Sequence, residues 1–342
     1  MNLLLTGVLM VTIGQPRPPA QPLAPPLLDN AAAWALLPGA PGKGKPLPAW
    51  ARLLAGPMPH ATAAMLRLDG LTRTAPSLHP RLRALIRLAV ADANHSDYGR
   101  AIALTDLRED TGAGAPDIAT LPPQEKLVWD FARQLALEAS RTTDAQVKEL
   151  LATYSESQVV AMVLLVAHGS FQDRLLLTLR PPIESEGVPA PVLVAFGIKR
   201  TQPTKSTGPP KPPAAVTKPG KEPGKNLGPD DPAWTGQSLA QLQESLENQR
   251  KRVARIRIPG WKEVQPHLEI DSWVRRWPKV GWGLVAFGHQ AEIADAWFDC
   301  VDQFRVDGRR KREGAKPEGA RLDPMLSADM FWVVTRSLNC FY

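Results

Sequence analysis

The side chains able to do nucleophilic or metal chemistry are few in this chain of 342 residues. Its two cysteines, Cys300 and Cys340, can build neither a disulfide-rich scaffold nor a cysteine-based zinc cluster. The six histidines are scattered and none has the spacing of a metal-binding motif, so neither a metal nor a cofactor is predicted. His95 is adjacent to Ser96, but neighbouring residues on a helix point in different directions and do not form a nucleophile–base pair.

The two cysteines differ in their predicted environments. Cys300 ends the apolar segment 296–300, which favours a small side chain buried on a helix face. Cys340 lies two residues before the last residue of the sequence, where a purely structural cysteine is unusual. A disulfide between the two is left open, because sequence separation does not fix the distance between their sulfurs.

The net charge of +7 comes mainly from one stretch of the chain. Seven basic residues and one acidic residue lie between Lys199 and Lys225, so the remainder of the chain is nearly neutral. This distribution argues against a basic folded face, and no nucleic-acid partner is predicted. Binding of a polyanion through the stretch itself remains an alternative.

Two segments have the composition of linkers. Residues 15–47 and 198–232 are rich in proline, a residue that the whole chain uses about twice as often as usual. The first lacks helical periodicity and is predicted to be a tether outside the core. The second has almost no apolar residues, cannot offset its ordering entropy, and is predicted to be a disordered Pro/Lys-rich linker.

The N-terminal residues are apolar over Leu3–Ile13, which is too short to span a bilayer but fits the hydrophobic region of a signal peptide. We therefore expect residues 1–14 to be a signal peptide, and export to the periplasm or cell envelope is favoured over a cytoplasmic location. No lysine or arginine precedes the apolar run, which leaves a frayed tail or a first element of the fold as the alternative. No membrane span is predicted.

Residues 48–185 are predicted to form an all-α domain. Apolar residues recur at helical spacing over Pro80–Ala93, and Val159–Val166 is apolar on every side and is expected to be fully buried. Two capping boxes open further helices, one at Thr143 with Gln146 and one at Ser155 with Gln158.

Residues 234–342 are predicted to contain a second, partial copy of this domain. At a constant offset of 244, residues of the first copy recur in the second, as in Leu78 and Leu322 or Tyr98 and Tyr342. Upstream, Gly56 and the helix after it match Gly288 and its helix at an offset of 232. A twelve-residue insertion within 307–321 accounts for the difference.

The repeated unit resembles the carboxymuconolactone decarboxylase / alkylhydroperoxidase D-like family. A helix opening Leu-x-Pro-x-Leu, followed about a dozen residues later by a Cys-x-Tyr-Cys-type motif, carries the resemblance, together with residues 121–181. It covers nearly all of 48–185 but only 280–342 of the second copy. The resemblance implies an alkylhydroperoxidase D-like helical fold, duplicated with the second copy incomplete, and a homo-oligomer.

The resemblance also implies a redox chemistry. Many members of the family reduce peroxides or exchange disulfides with a Cys-x-x-Cys pair, and use an upstream Glu and a downstream His as a proton relay. One thiol must ionise to attack a peroxide oxygen, and the second then resolves the sulfenic acid as a disulfide. A peroxide substrate and a thiol reductant are therefore the partners that the resemblance implies.

The first copy lacks the residues for this chemistry. The two cysteine positions are occupied by Ser96 and Gly99, the glutamate position by Ala84, and the histidine position by Ala103. A hydroxyl cannot replace a thiol in redox chemistry. The first site is therefore predicted to be degenerate.

The second copy keeps Cys340 at the first cysteine position, which makes it the candidate catalytic residue. The sequence stops one residue before the second cysteine position. A UGA codon that encodes selenocysteine would explain this end, and so would a truncated or fragmentary sequence.

The implied function is peroxide reduction or thiol–disulfide exchange. The alternative is a non-enzymatic oligomerisation or scaffold protein, and a lactone decarboxylase has less support because no acid–base pocket can be named.

Overall fold

The computed structural model describes residues 25–39, 44–112, 114–197, 238–250, 253–268 and 281–313. Within these ranges the protein consists of α-helices, short 3-10 turns and loops, with no strand, so the all-α prediction is confirmed. The described residues of the first half form eight helices: α1 Asn30–Leu36, α2 Ala49–Leu54, α3 Pro59–Thr74, α4 Pro80–Asn94, α5 Asp97–Thr111, α6 Pro123–Glu138, α7 Asp144–Thr153 and α8 Glu156–Leu179. Those of the second half form four: α9 Leu239–Arg250, α10 Trp261–Val264, α11 Gly281–His289 and α12 Ala291–Glu313.

Helix α4 lies at the centre of the first half. Its apolar residues face α5, α6 and α8, and Leu85, Ile86 and Val90 are completely buried. Both predicted capping boxes are present, because the hydroxyls of Thr143 and Ser155 accept hydrogen bonds from backbone N–H groups at the starts of α7 and α8.

Helix α8 is packed inside the protein over most of its length. It is the one helix of the described residues that is long and apolar enough to cross a membrane, but 61% of its apolar stretch is buried, as in a core helix. The prediction that Val159–Val166 is fully buried is wrong at Val163, which is 37% exposed. A helix at the side of a bundle is covered on only part of its circumference.

The predicted tether is partly a core element. Residues 30–36 form α1, and Trp34 is buried and donates a hydrogen bond from its indole nitrogen to the Lys45 carbonyl oxygen at 2.8 Å. The ring of Trp34 also stacks on Phe196 with the ring centroids 6.0 Å apart. The prediction that these residues lie outside the core is therefore wrong, because burial of Trp34 and Leu37 outweighs the proline-rich composition around them.

The second half packs on the first. Helix α12 lies along α3, and α11 contacts α8. Ile293, Ala296 and Cys300 of α12 belong to the same group of buried apolar side chains as the core of the first half. A smaller apolar cluster joins α10, α11 and α12 around Phe287 and Phe298, whose rings stack 5.3 Å apart.

Several predictions fall outside the described residues. These are the signal peptide 1–14, the first part of the tether, the Pro/Lys-rich linker 198–232, the matching segment 322–342 of the repeat, and Cys340. The predicted domain boundaries are likewise not tested.

Candidate functional site

The predicted cysteine positions of the first copy lie where α4 ends and α5 begins. His95 ends α4 in the left-handed backbone region, with φ of 55°. Ser96 is the N-cap of α5, and its hydroxyl oxygen accepts a hydrogen bond from the Gly99 N–H at 3.1 Å. His95 and Ser96 were expected to be neighbours on one helix, but they lie between α4 and α5. They still do not pair, because His95 is exposed and Ser96 is buried. The Ser96 hydroxyl thus caps a helix.

The space next to Gly99 is filled by an ion pair between α4 and α8. The Arg87 guanidinium donates to the Asp173 carboxylate at 2.5 and 3.0 Å, and Asp173 is completely buried. A Cβ at position 99 would lie 2.5 and 2.8 Å from the terminal nitrogens of Arg87, and closer still to Asp173 Oδ1. Real Cβ atoms do not approach other atoms so closely, so the packing of the pair accounts for glycine at this position.

The other two degenerate positions are apolar and closed. Ala84 is 2% exposed and Ala103 is not exposed at all, so neither position offers an ionisable group to a thiol or a substrate. The first copy therefore contains no proton relay at the positions that the family resemblance indicates. Cys340 lies outside the described residues.

A buried polar network continues from Arg87 towards α3 and α5. Gln172 links its two ends: its side-chain oxygen accepts from Arg87 at 3.3 Å, and its nitrogen donates to Asp69 at 3.0 Å. Asp69 also accepts from Arg73 at 3.3 Å, and Arg73 binds the carboxylate of Asp106 at 2.5 to 3.1 Å. The Arg73–Asp106 pair joins α3 to α5, the Arg87–Asp173 pair joins α4 to α8, and the Arg73–Asp69 pair lies within α3. Gln172 connects the two interhelical pairs, so the network links all four helices.

Burial sets the protonation of this network. It lowers the pKa of His168 to about 4, so the imidazole is neutral near pH 7. Burial also raises the pKa of Asp106, while the Arg73 charge acts in the opposite direction. Burial would lower the pKa of Arg73, but the carboxylates of Asp69 and Asp106 outweigh it and raise the pKa, so the guanidinium stays charged.

The network encloses a cavity of about 20 Å³, lined mainly by its polar side chains together with Ile102 and Leu165. A cavity needs about 10–15 Å³ to hold one water molecule, whereas small-molecule sites measure several hundred Å³. The side-chain Nε of Arg87 is buried without a hydrogen-bond partner, which is consistent with a water molecule there. The cavity is thus too small for an organic substrate.

Cys300 is not a reactive thiol. It is 4% exposed on the side of α12 that meets the core, and burial, followed by the negative charge of Asp299, raises its pKa to about 12. A thiol of this kind is almost entirely protonated at neutral pH and is a poor nucleophile. The prediction of a small buried side chain at Cys300 is confirmed.

No metal site is found among the described residues, because no group of three or more His, Cys, Asp and Glu side chains could hold an ion there. The Arg87–Asp173 pair and the network around it were not predicted from the sequence. A signal was present, since His168, Gln172 and Asp173 are polar residues inside a mostly apolar helix, and Arg87 interrupts the apolar face of α4. Polar residues at such positions require buried partners.

Comparisons with models of known protein families, with curated proteins and with solved structures find no match for this chain. The resemblance to the carboxymuconolactone decarboxylase family therefore depends on the residues quoted above.

Proposed function

We propose that this protein is a duplicated carboxymuconolactone decarboxylase-like protein whose first copy is a catalytically inactive support. Peroxide reduction or thiol–disulfide exchange then depends on Cys340 in the second copy. The observation that carries the proposal is the ion pair of Arg87 and Asp173, which occupies the space of the second cysteine of the first copy.

The contact between α3 and α12 supports the duplication. These are the helices that follow Gly56 and Gly288, the two glycines matched at an offset of 232. The helices run antiparallel, since His60 pairs with Asp307 and Arg67 pairs with Asp299. The partner of Arg67 is therefore the residue 232 positions later, its own counterpart in the second copy. Two copies related by a local twofold axis would meet in this way.

The chemistry proposed for Cys340 balances with a peroxide and an external thiol. The thiolate attacks one peroxide oxygen, the O–O bond breaks, and the alcohol or water leaves with a proton, while sulfur is oxidised to sulfenic acid. A thiol reductant then displaces water to form a mixed disulfide, and a second thiol releases the reduced Cys340. Cys340 supplies one of the thiols, and the reductant supplies the other two.

The test compares two single-cysteine variants of the full chain. With hydrogen peroxide and dithiothreitol, Cys340→Ser should abolish peroxide consumption above the uncatalysed rate, and dimedone should no longer label the protein. The matched control, Cys300→Ser, should keep both the peroxide consumption and the dimedone labelling, because Cys300 is buried and protonated. Equal rates for the wild type and Cys340→Ser would overturn the proposed redox function.

A non-enzymatic scaffold is the second candidate. The observation in its favour is that the polar network of the first copy has room for water only. If the protein is a scaffold, light scattering should show a defined homo-oligomer. Cys340→Ser should then change neither the size of the oligomer nor the results of the redox assays.

A further inference from the structure

Helices α3 and α12 contact one another through polar and charged residues at two places, beside the apolar side chains of α12. Arg67 donates to the carboxylates of Asp299 and, at 3.1 Å, of Asp295. At the far end of the contact, Asp307 accepts from the Ala61 N–H at 2.8 Å and lies 2.9 Å from the His60 ring nitrogen. The Arg67 guanidinium, the His60 ring and the Ala61 N–H are on α3, and the three carboxylates are on α12.

Arg67 and Asp299 occupy the centre of this contact. Because the helices are antiparallel, the difference in residue number between partners decreases along α3. At Arg67 and Asp299 this difference is 232, the offset proposed to relate the two copies. The Arg67 side chain is 30% exposed and Asp299 is 8% exposed, so the pair is partly shielded from water. Charges in such a position interact more strongly than charges on an open surface.

We propose that the opposite charges of Arg67 and Asp299 determine which helices pair. They favour the contact between the two unlike halves of the chain over contacts between two like halves. The face of α3 is thus a docking surface whose partner is α12. This inference depends on the proposed duplication, since it treats α3 and α12 as equivalent helices.

Duplicated helices can form three pairings. In the unlike pairing, Arg67 faces Asp299. In a pairing of two α3 helices with the same geometry, Arg67 would face a second Arg67, and two α12 helices would bring Asp299 against Asp299. Like charges held together in a partly buried contact are unfavourable, and charges of this kind select partners in coiled coils.

Other contacts also join the halves: Arg255 pairs with Asp144, outside α3 and α12, and Gln290 binds two serines. The side chain of Gln290 donates to the Ser157 carbonyl and hydroxyl oxygens at 2.8 and 2.9 Å, and accepts from the Ser77 hydroxyl at 3.3 Å. These bonds are neutral. They strengthen the contact, but the choice between like and unlike helices comes from the charged pair.

The test uses the full chain with a site-specific protease sequence placed between residues 205 and 225. After cleavage, the wild-type halves should elute together as a 1:1 complex in size-exclusion chromatography with light scattering. Arg67→Glu and Asp299→Arg should each weaken the complex at least tenfold. The double variant should recover most of the loss, although Asp295 still opposes a carboxylate at position 67.

Charge reversal away from the contact provides the matched control. Arg81 pairs with Glu125 at 2.8 Å inside the first half, and its side chain is 28% exposed, close to the 30% of Arg67. Arg81→Glu should leave the 1:1 complex unchanged, and circular dichroism should show that every variant keeps its helices. A double variant no tighter than the single variants would overturn the proposal.

A variant without the two charges tests whether they select the partner helix. In Arg67→Leu/Asp299→Leu no charge opposes like pairing, so dimers of like halves should appear beside the 1:1 complex. Persistence of the 1:1 complex alone would show that the charges do not select the partner. None of these measurements involves Cys340, so failure of the proposed redox function would leave them unaffected.

Discussion

Arg87 and Asp173 meet in the space that a side chain at position 99 would need. The glycine, the arginine and the aspartate therefore depend on one another, although they lie on three different helices. The resulting ion pair joins α4 to α8.

Gly99→Ala should lower the free energy of unfolding by about 1–3 kcal/mol, the usual cost of overpacking a core. On an unobstructed helix the same change is stabilising by up to about 1 kcal/mol, so the sign of the effect is decisive. Chemical denaturation measures it. Gly114→Ala is the control, since a Cβ there meets nothing within 4 Å. A stabilising Gly99→Ala would contradict the packing described.

The stability of the fold should fall in mild acid because of His168. Its pKa is lowered from an ordinary value of 6.5 to about 4 in the folded protein, so the unfolded chain binds the proton more readily. The contribution is complete above pH 6.5 and is lost as the pH falls towards 4. By pH 5 it should cost about 2 kcal/mol, since each pKa unit corresponds to about 1.4 kcal/mol.

Denaturant unfolding at pH 7.5 and pH 5 checks this dependence. His168→Gln should show a smaller loss of stability between the two pH values than the wild type. His267→Gln, which alters an exposed histidine, should show the wild-type loss. Equal losses in His168→Gln and the wild type would contradict the buried, neutral imidazole.

Cys300 should resist thiol reagents in the folded protein. With a pKa of about 12, its thiolate fraction at pH 8 is about a thousandfold lower than that of an ordinary cysteine. Labelling of the Cys340→Ser variant with a chromogenic disulfide should therefore proceed only after addition of guanidinium chloride. Stoichiometric labelling without denaturant would show that the thiol is accessible.

Trp34→Ala should destabilise the protein by about 3–5 kcal/mol, as expected for the loss of a large buried side chain. The residue lies in the stretch whose composition suggested a tether. Leu36→Ala is the control on the same helix, because Leu36 is 48% exposed and should change the stability by no more than about 0.5 kcal/mol. Thermal unfolding distinguishes the two variants.

The sequence predicted well those features that depend on neighbouring residues. The spacing of apolar residues over Pro80–Ala93 gave α4 nearly to the residue, and the pairs Thr143–Gln146 and Ser155–Gln158 gave two helix starts. It was misleading for α1, because the composition of a whole segment does not show that one tryptophan is buried in the core. The sequence alone did not show that the Arg87–Asp173 pair lies against Gly99.

By itself, then, the sequence determined α4 and the starts of α7 and α8, since these follow from local hydrogen bonding and apolar periodicity. Only the tertiary structure decided which distant polar groups meet. Arg87 and Asp173 are 86 residues apart, and Arg67 and Asp299 are 232 apart. Their pairing, and the burial that holds His168 neutral, arise from helix packing that excludes water, which no short stretch of sequence contains.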